Sequence, residues 1–258
     1  MKPLLLVVEN DSGTRRLLDV FLTREAFEVD PVATGGDALL LLERIDYAAV
    51  VLDMLIPGRT GRDVLEELAA RAPALLERIV VISSATEAHL RDVRGRHPAV
   101  AALRKPFDLT ELLGVVRERA ARHVPAGRID AAQIFVRRSV TAGAKAGLVA
   151  RHGDASDVVT SFGGHAVPIE PLHALALDAL RHGRAVWVSA SQAWREHGSV
   201  ALAAVPIFSG EQVAGVAGWY FSEPRVFSED EVARLTAIAS EAAGLLGAPS
   251  TTASSRRA

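Results

Sequence analysis

Four unbroken apolar runs, each ending in polar side chains, constrain this chain more than any other feature. Leu4-Leu5-Leu6-Val7-Val8 runs into Glu9-Asn10-Asp11, and Ala48-Ala49-Val50-Val51-Leu52 stops at Asp53. Ile79-Val80-Val81-Ile82 opens into Ser83-Ser84, and Ala99-Val100-Ala101-Ala102-Leu103 closes on Arg104-Lys105-Pro106. Apolar runs without alternation are strands buried on both faces, the pattern of a parallel sheet covered by helices. Helical spacing fills the intervals, from Arg15 to Arg24, Gly36 to Arg44, Arg62 to Arg71, Glu87 to Arg94 and Leu109 to Arg122. With one more strand near Val29-Asp30-Pro31-Val32-Ala33, the reading is five βα units. That predicts an α/β fold with a doubly wound, five-stranded parallel sheet. Ligands gather at the carboxyl edge of such sheets, so a carboxylate at the mouth of a buried strand makes Asp53 the leading site candidate.

The strand ends, taken together, resemble the receiver (CheY-like) domain of two-component response regulators, a flavodoxin-like fold, over residues 1–122. The likeness rests on the acidic cluster after the first strand, Asp53-x-x-x-Pro57-Gly58, the hydroxyl of Ser83 and the Lys105-Pro106 pair, in that order. The resemblance implies that Asp53 is the phosphoacceptor, taking phosphoryl from a phosphohistidine on a histidine kinase or phosphotransfer protein. Bringing a dianionic phosphoryl group to a carboxylate needs positive charge close by, usually a divalent ion and a lysine. Mg²⁺ takes oxygen ligands. By resemblance these would be Glu9, Asn10, Asp53 and the backbone carbonyl of Leu55. Lys105 would pair with the phosphoryl oxygens, and Ser83 would donate a hydrogen bond to them as the switch.

Two features depart from the family pattern. Glu9-Asn10 stands where two aspartates are usual, which removes one formal charge and predicts weak Mg²⁺ binding. Asp11 is expected to point away from the pocket. Ala102 occupies the place of a switching aromatic side chain. An alternative reading is therefore a pseudoreceiver scaffold whose second half senses a small molecule.

Helix punctuation marks the boundary. Asp108-Leu109-Thr110-Glu111 has capping-box spacing, with Leu109, Leu112, Leu113 and Val116 as one apolar stripe behind it. Val124-Pro125-Ala126-Gly127 should end that helix. Residues 123–129 then read as a short linker.

Beyond it the pattern changes to a helix over Ile129–Ala142, short strands at Gly147–Arg151 and Asp157–Phe162, a helix over Pro171–His182, and a strand at Ala185–Val188. Strands at Val200–Pro206 and Val213–Phe221 form a hairpin about a turn at Glu211-Gln212. A capping box at Ser228-Glu229-Asp230-Glu231 opens a last helix through Leu246. Residues 130–247 are similar to a GAF domain, an α+β fold with an antiparallel sheet flanked by helices. The likeness lies in Ala204-Val205-Pro206-Ile207, Val213-Ala214-Gly215-Val216 and Pro224-Arg225-Val226-Phe227-Ser228. It implies self-association, and a homodimer through this domain is expected.

Phe162, His165, His173, Trp187, Trp194 and Trp219 are the residues to inspect for a small-molecule pocket, although large rings on strands usually pack in the core. The GAF ligand itself is unknown from sequence. His152, His165, His173 and His182 lack the spacing of a zinc site. With no cysteine, covalent bilin attachment and thiol chemistry are excluded.

The 258 residues carry a formal net charge of −2, and no basic recognition helix is apparent. No nucleic-acid partner is expected. No apolar stretch is long enough for a bilayer, so no membrane association and a cytoplasmic location are expected. Residues 248–258 read as a disordered tail. The chain is expected to be a non-enzymatic response regulator that signals through protein contacts.

Overall fold

The four apolar runs and the further strand near Val29 form β1 (Leu4–Val8), β2 (Glu28–Val32), β3 (Ala49–Asp53), β4 (Ile79–Ser83) and β5 (Ala101–Arg104) in the computed structural model. It describes residues 2–124, 129–152, 157–163, 169–189 and 201–246. His165, Trp194, most of the expected linker and the expected tail lie outside the described residues. The chain divides into two compact units, Met1–Arg128 and Ile129–Ala258.

In the first unit every strand pair is parallel and the order is β2-β1-β3-β4-β5. The helices are α1 (Ser12–Arg24), α2 (Gly35–Leu42), α3 (Gly61–Arg71), α4 (Glu87–Arg96) and α5 (Leu109–Ala121). Alternate strand residues Leu5, Val7, Val51, Val80 and Ile82 share a core with Leu18 and Leu22 of α1 and Leu112, Leu113 and Val116 of α5. The other alternation, including Leu6, Val50, Leu52 and Val81, is equally buried. A sheet buried on both faces cannot alternate polar with apolar, which is why its strands were legible as unbroken runs. Each fully buried Leu or Val adds about 1.5–3 kcal/mol of stabilisation.

Each loop at the carboxyl edge ends in a side-chain cap, supplied in turn by Asp11, Thr34, Thr60, Thr86 and Asp108. The reciprocal box closes at Thr60 with Asp63. At Asp108 the carboxylate instead takes the Thr110 N–H at 2.6 Å. A 3₁₀ helix over Pro73–Arg78, absent from the sequence reading, leads into β4. Proline at its start and the lack of helical apolar spacing hid it.

The second unit is a wholly antiparallel sheet, β7-β6-β10-β9-β8. Its strands are β6 (Ala146–Arg151), β7 (Val158–Phe162), β8 (Val186–Val188), β9 (Ala201–Ser209) and β10 (Gln212–Phe221). Helix α7 (Ile169–His182) packs Leu172, Ala176, Ala179 and Leu180 onto Leu148, Leu202, Ala204 and Val216. Helices α6 (Ala131–Thr141), α8 (Glu229–Glu241) and α9 (Ala243–Leu246) complete it.

Two details correct the sequence reading. The hairpin turn is Gly210-Glu211, because Gln212 already pairs with Ser209 and Gly210 takes φ 64°, a left-handed conformation suited to glycine. The last helix is also not continuous to Leu246. It breaks at Ala242, beside Gly244, and the short α9 lays Leu246 on Gly215. A Cβ on Gly215 would stand 2.7 Å from a Leu246 methyl, so the glycine is what admits that contact. Pro206 lies in β9 beyond Ala204, the last residue paired with β8, where a missing N–H costs little.

Candidate functional site

Parallel pairing brings the polar strand ends to one edge of the first sheet. Asp53 lies opposite Ile82, and Ser83 follows it on the neighbouring strand, opposite Arg104. The loop after β5 then returns Lys105, whose Nζ lies 2.6 Å from Glu9 Oε2 and 2.8 Å from Asp53 Oδ2. The Lys105 N–H also bonds the Ser83 carbonyl at 2.7 Å, which fixes where the side chain begins.

Both carboxylates are withdrawn from water, with side chains only 1% and 5% exposed against 22% for Lys105. Such burial is tolerable because every oxygen has a partner. Glu9 Oε1 accepts the Asp11 N–H and Asp53 Oδ1 accepts the Leu55 N–H, each at 3.0 Å. Burial depresses the basicity of Lys105, but the hydrogen bonds and charges of Asp53 and Glu9 outweigh it and hold its pKa above the ordinary lysine value.

The remaining expected residues are arranged around this triad. Ser83 is fully buried, and its Oγ accepts the Ala85 N–H at 3.1 Å. Asn10 is exposed at the mouth, and Leu55 lies on the turn and is 57% exposed. Asp11 does face away from the triad, capping α1 through the Thr14 N–H at 2.7 Å. That bond and the Thr14 side chain depress its pKa below the usual carboxylate range. Gly58 adopts φ 73° in the turn after Asp53. Gly61 permits α3 to begin against β3, since a Cβ there would meet the Asp53 carbonyl oxygen at 2.6 Å.

The donor set suits a hard divalent ion. Glu9 and Asp53 converge on the same ammonium, and Asn10 and Leu55, the residues expected to add an amide and a carbonyl oxygen, lie one and two positions along the chain from them. Two carboxylates are a sparse set. Among the described residues no three His, Cys, Asp or Glu side chains gather as a metal site.

Arg15 escaped the sequence reading. Its Nη1 donates to the Glu9 carbonyl at 2.7 Å and to the Asn10 carbonyl at 3.0 Å. An arginine one turn into the helix after the acidic cluster was the available signal. Ala102 is buried in β5, and its carbonyl accepts from Arg94 of α4 at 2.7 Å.

In the second unit the inspected rings are mostly core. Trp219 is fully buried, donates its indole N–H to Ser139 Oγ at 2.8 Å and stacks near Phe135, which in turn meets Phe162 edge-on. Trp187 packs on Phe227, and Arg225 lies 4.0 Å over the Phe221 ring. His173 is half-buried on α7.

Comparisons with known proteins divide the chain in the same way. The family described as response regulator receiver domain matches residues 5–117, and the family described as GAF domain matches residues 108–246. The matches overlap on α5, which by packing is part of the first unit. Leu112, Leu113 and Val116 lie in its core, and Arg119 donates to the carbonyls of Glu77 and Ala99. The chain is 31% identical over 122 residues to the transcriptional regulatory protein HprR of Escherichia coli strain K12, covering 46% of this chain and 52% of that one. It is 31% identical over 129 residues to the sensory transduction protein RegX3 of Mycolicibacterium smegmatis, covering 48% and 55%. It is 33% identical over 118 residues to the transcriptional regulatory protein TcrA of Mycobacterium tuberculosis, covering 46% of each. The chain thus spans about half the length of the curated relatives it matches. Among solved structures, the non-phosphorylated HemR receiver domain of Leptospira biflexa aligns at 25% identity with a TM-score of 0.43, over 49% of this chain and 100% of that one. No described helix is long and apolar enough to cross a membrane.

Proposed function

This chain belongs to the GAF family through its second domain and carries a response regulator receiver domain before it, and from that premise we propose that it is a phosphorylation-controlled regulator in two-component signalling. One observation carries the reading. Lys105 holds Asp53 and Glu9 together at the carboxyl edge, with the buried Ser83 hydroxyl at the next strand end.

Asp53 Oδ2 attacks the phosphorus of a phosphohistidine on a histidine kinase or phosphotransfer protein. The new O–P bond forms as the P–N bond breaks, and the electron pair returns to the imidazole. Lys105 places its positive charge where the phosphoryl oxygens arrive, compensating for charge that Asp53 alone would repel. Glu9, Asp53, Asn10 and the Leu55 carbonyl would hold Mg²⁺, which supplies further positive charge to the transferring group. Ser83 then donates its hydroxyl proton to a phosphoryl oxygen. Its Oγ also accepts the Ala85 N–H, so that bond carries the change into the loop leading to α4.

The chain takes up phosphoryl as a signal and does not turn over a substrate. The relatives named as transcriptional regulators match less than half of this chain, and its second domain matches a GAF family, so its output passes through GAF protein contacts in place of nucleic acid. A cytoplasmic homodimer through the GAF domain completes the proposal. Phe135, Val140, Leu235 and Ile238 are consumed inside the domain, which leaves the small outer residues Ala233, Ala237 and Ser240 of α8 for a partner copy. Light scattering on the fragment from Gly127 onward should give twice the monomer mass. A monomeric fragment beside a dimeric full chain would place the interface elsewhere.

Incubation with acetyl phosphate and Mg²⁺ should add one phosphoryl group to the protein and none to Asp53→Ala. Equal labelling of the two proteins would refute the phosphoacceptor assignment. An unlabelled parent would favour the docking-scaffold alternative.

A further inference from the structure

We propose that Arg15 is a positioning residue of the phosphoryl-accepting site. The inference rests on the phosphoacceptor reading of Asp53 and adds a residue to it. Arg15 stands one turn into α1, and its Nη1 bonds the carbonyls of both residues that follow β1, Glu9 at 2.7 Å and Asn10 at 3.0 Å.

The turn is closed by three further bonds. The Asp11 N–H returns to Glu9 Oε1, the Thr14 N–H to Asp11 Oδ1 and the Arg15 N–H to the Asp11 carbonyl. The first turn of α1 is thereby joined to the acidic turn at several points. Arg15 is the member that reaches back across it as a charged donor, and charge-assisted bonds are the strong ones. From the backbone so fixed, Glu9 extends to Lys105, and Lys105 extends to Asp53. Arg15 therefore sets where the ammonium stands against the nucleophile without touching either. Glutamate at position 9 makes this control necessary, because its longer side chain has more rotamers than aspartate and would otherwise wander.

The test uses the full chain with Arg15→Met and Arg15→Lys. Labelling of Asp53 is followed against acetyl phosphate concentration, and amide hydrogen exchange is followed on the unphosphorylated proteins. In Arg15→Met the maximal labelling rate should fall about 10-fold with little change in the half-saturating donor concentration, as expected of misplaced charge at a reacting centre. Exchange at the Asp11 and Thr14 amides should rise about 10-fold, while the core amide of Ile82 keeps its protection. Arg15→Lys should recover most of both, since one ammonium has donors enough for two carbonyls. Parental labelling by Arg15→Met, or unchanged exchange at Asp11, overturns the proposal. If the parent takes no label while Arg15→Met loses the amide protection, the phosphoacceptor reading fails, and with it the role given to the clamp.

Discussion

Lys105 Nζ lies closer to Glu9 Oε2 than to Asp53 Oδ2, at 2.6 Å against 2.8 Å. In the described state the lysine is shared between the two carboxylates, so Glu9 does more than wait for a metal ion. On the proposed phosphoacceptor reading, an arriving phosphoryl group would draw the ammonium from this shared position, and Glu9 would set part of the cost of activation.

Replacing Lys105 by Met should destabilise the receiver by about 1–3 kcal/mol, because two buried carboxylates lose their partner. The raised pKa of Lys105 means its contribution is fully present below the ordinary lysine value of 10.5 and fades only as pH rises through the higher folded value. The difference between parent and variant should thus be near constant across neutral pH. Urea unfolding at several pH values checks this, and a gap that changes across neutral pH would contradict it.

Asn10→Asp should tighten Mg²⁺ binding by about 10-fold, since a third carboxylate at the mouth adds a full charge within a few ångströms of the ion. Calorimetric titration of both proteins at one ionic strength is the measurement. Superimposable isotherms would show that Asn10 does not limit the site.

Ser139→Ala should cost about 1–3 kcal/mol by orphaning the Trp219 indole N–H inside an aromatic core. Trp219→Phe removes the donor together with its need. Ser139→Ala added to Trp219→Phe should therefore cost far less than in the parent, and additivity of the two changes in urea melts would refute the bond.

Stability should also fall in acid through the helix caps. The Thr60 side-chain and backbone bonds lower the pKa of Asp63, and the Thr110 bonds lower that of Asp108. A depressed carboxylate stabilises the fold above its unfolded pKa and loses that contribution as pH falls through the folded value. Asp63→Asn should flatten the acid limb below about pH 4. A variant that loses stability as steeply as the parent would show that the cap does not titrate with folding.

The sequence by itself determined the two folds and placed Asp53, Ser83 and Lys105 at the strand ends. Strands buried on both faces must be apolar throughout, so a polar group at the end of each is visible without coordinates. Helix caps and glycine turns are legible for the same local reason. The tertiary structure alone decided what those side chains touch. Glu9 and Lys105 are 96 residues apart, and nothing in the spacing of either says that the glutamate bonds the lysine. The Arg15 clamp, the break at Ala242 and the Ser139–Trp219 bond, which joins positions 80 residues apart, were likewise hidden. Periodicity reports which face of an element is buried. The pairing of one polar group with another depends on where the chain returns, and only the packed fold fixes that.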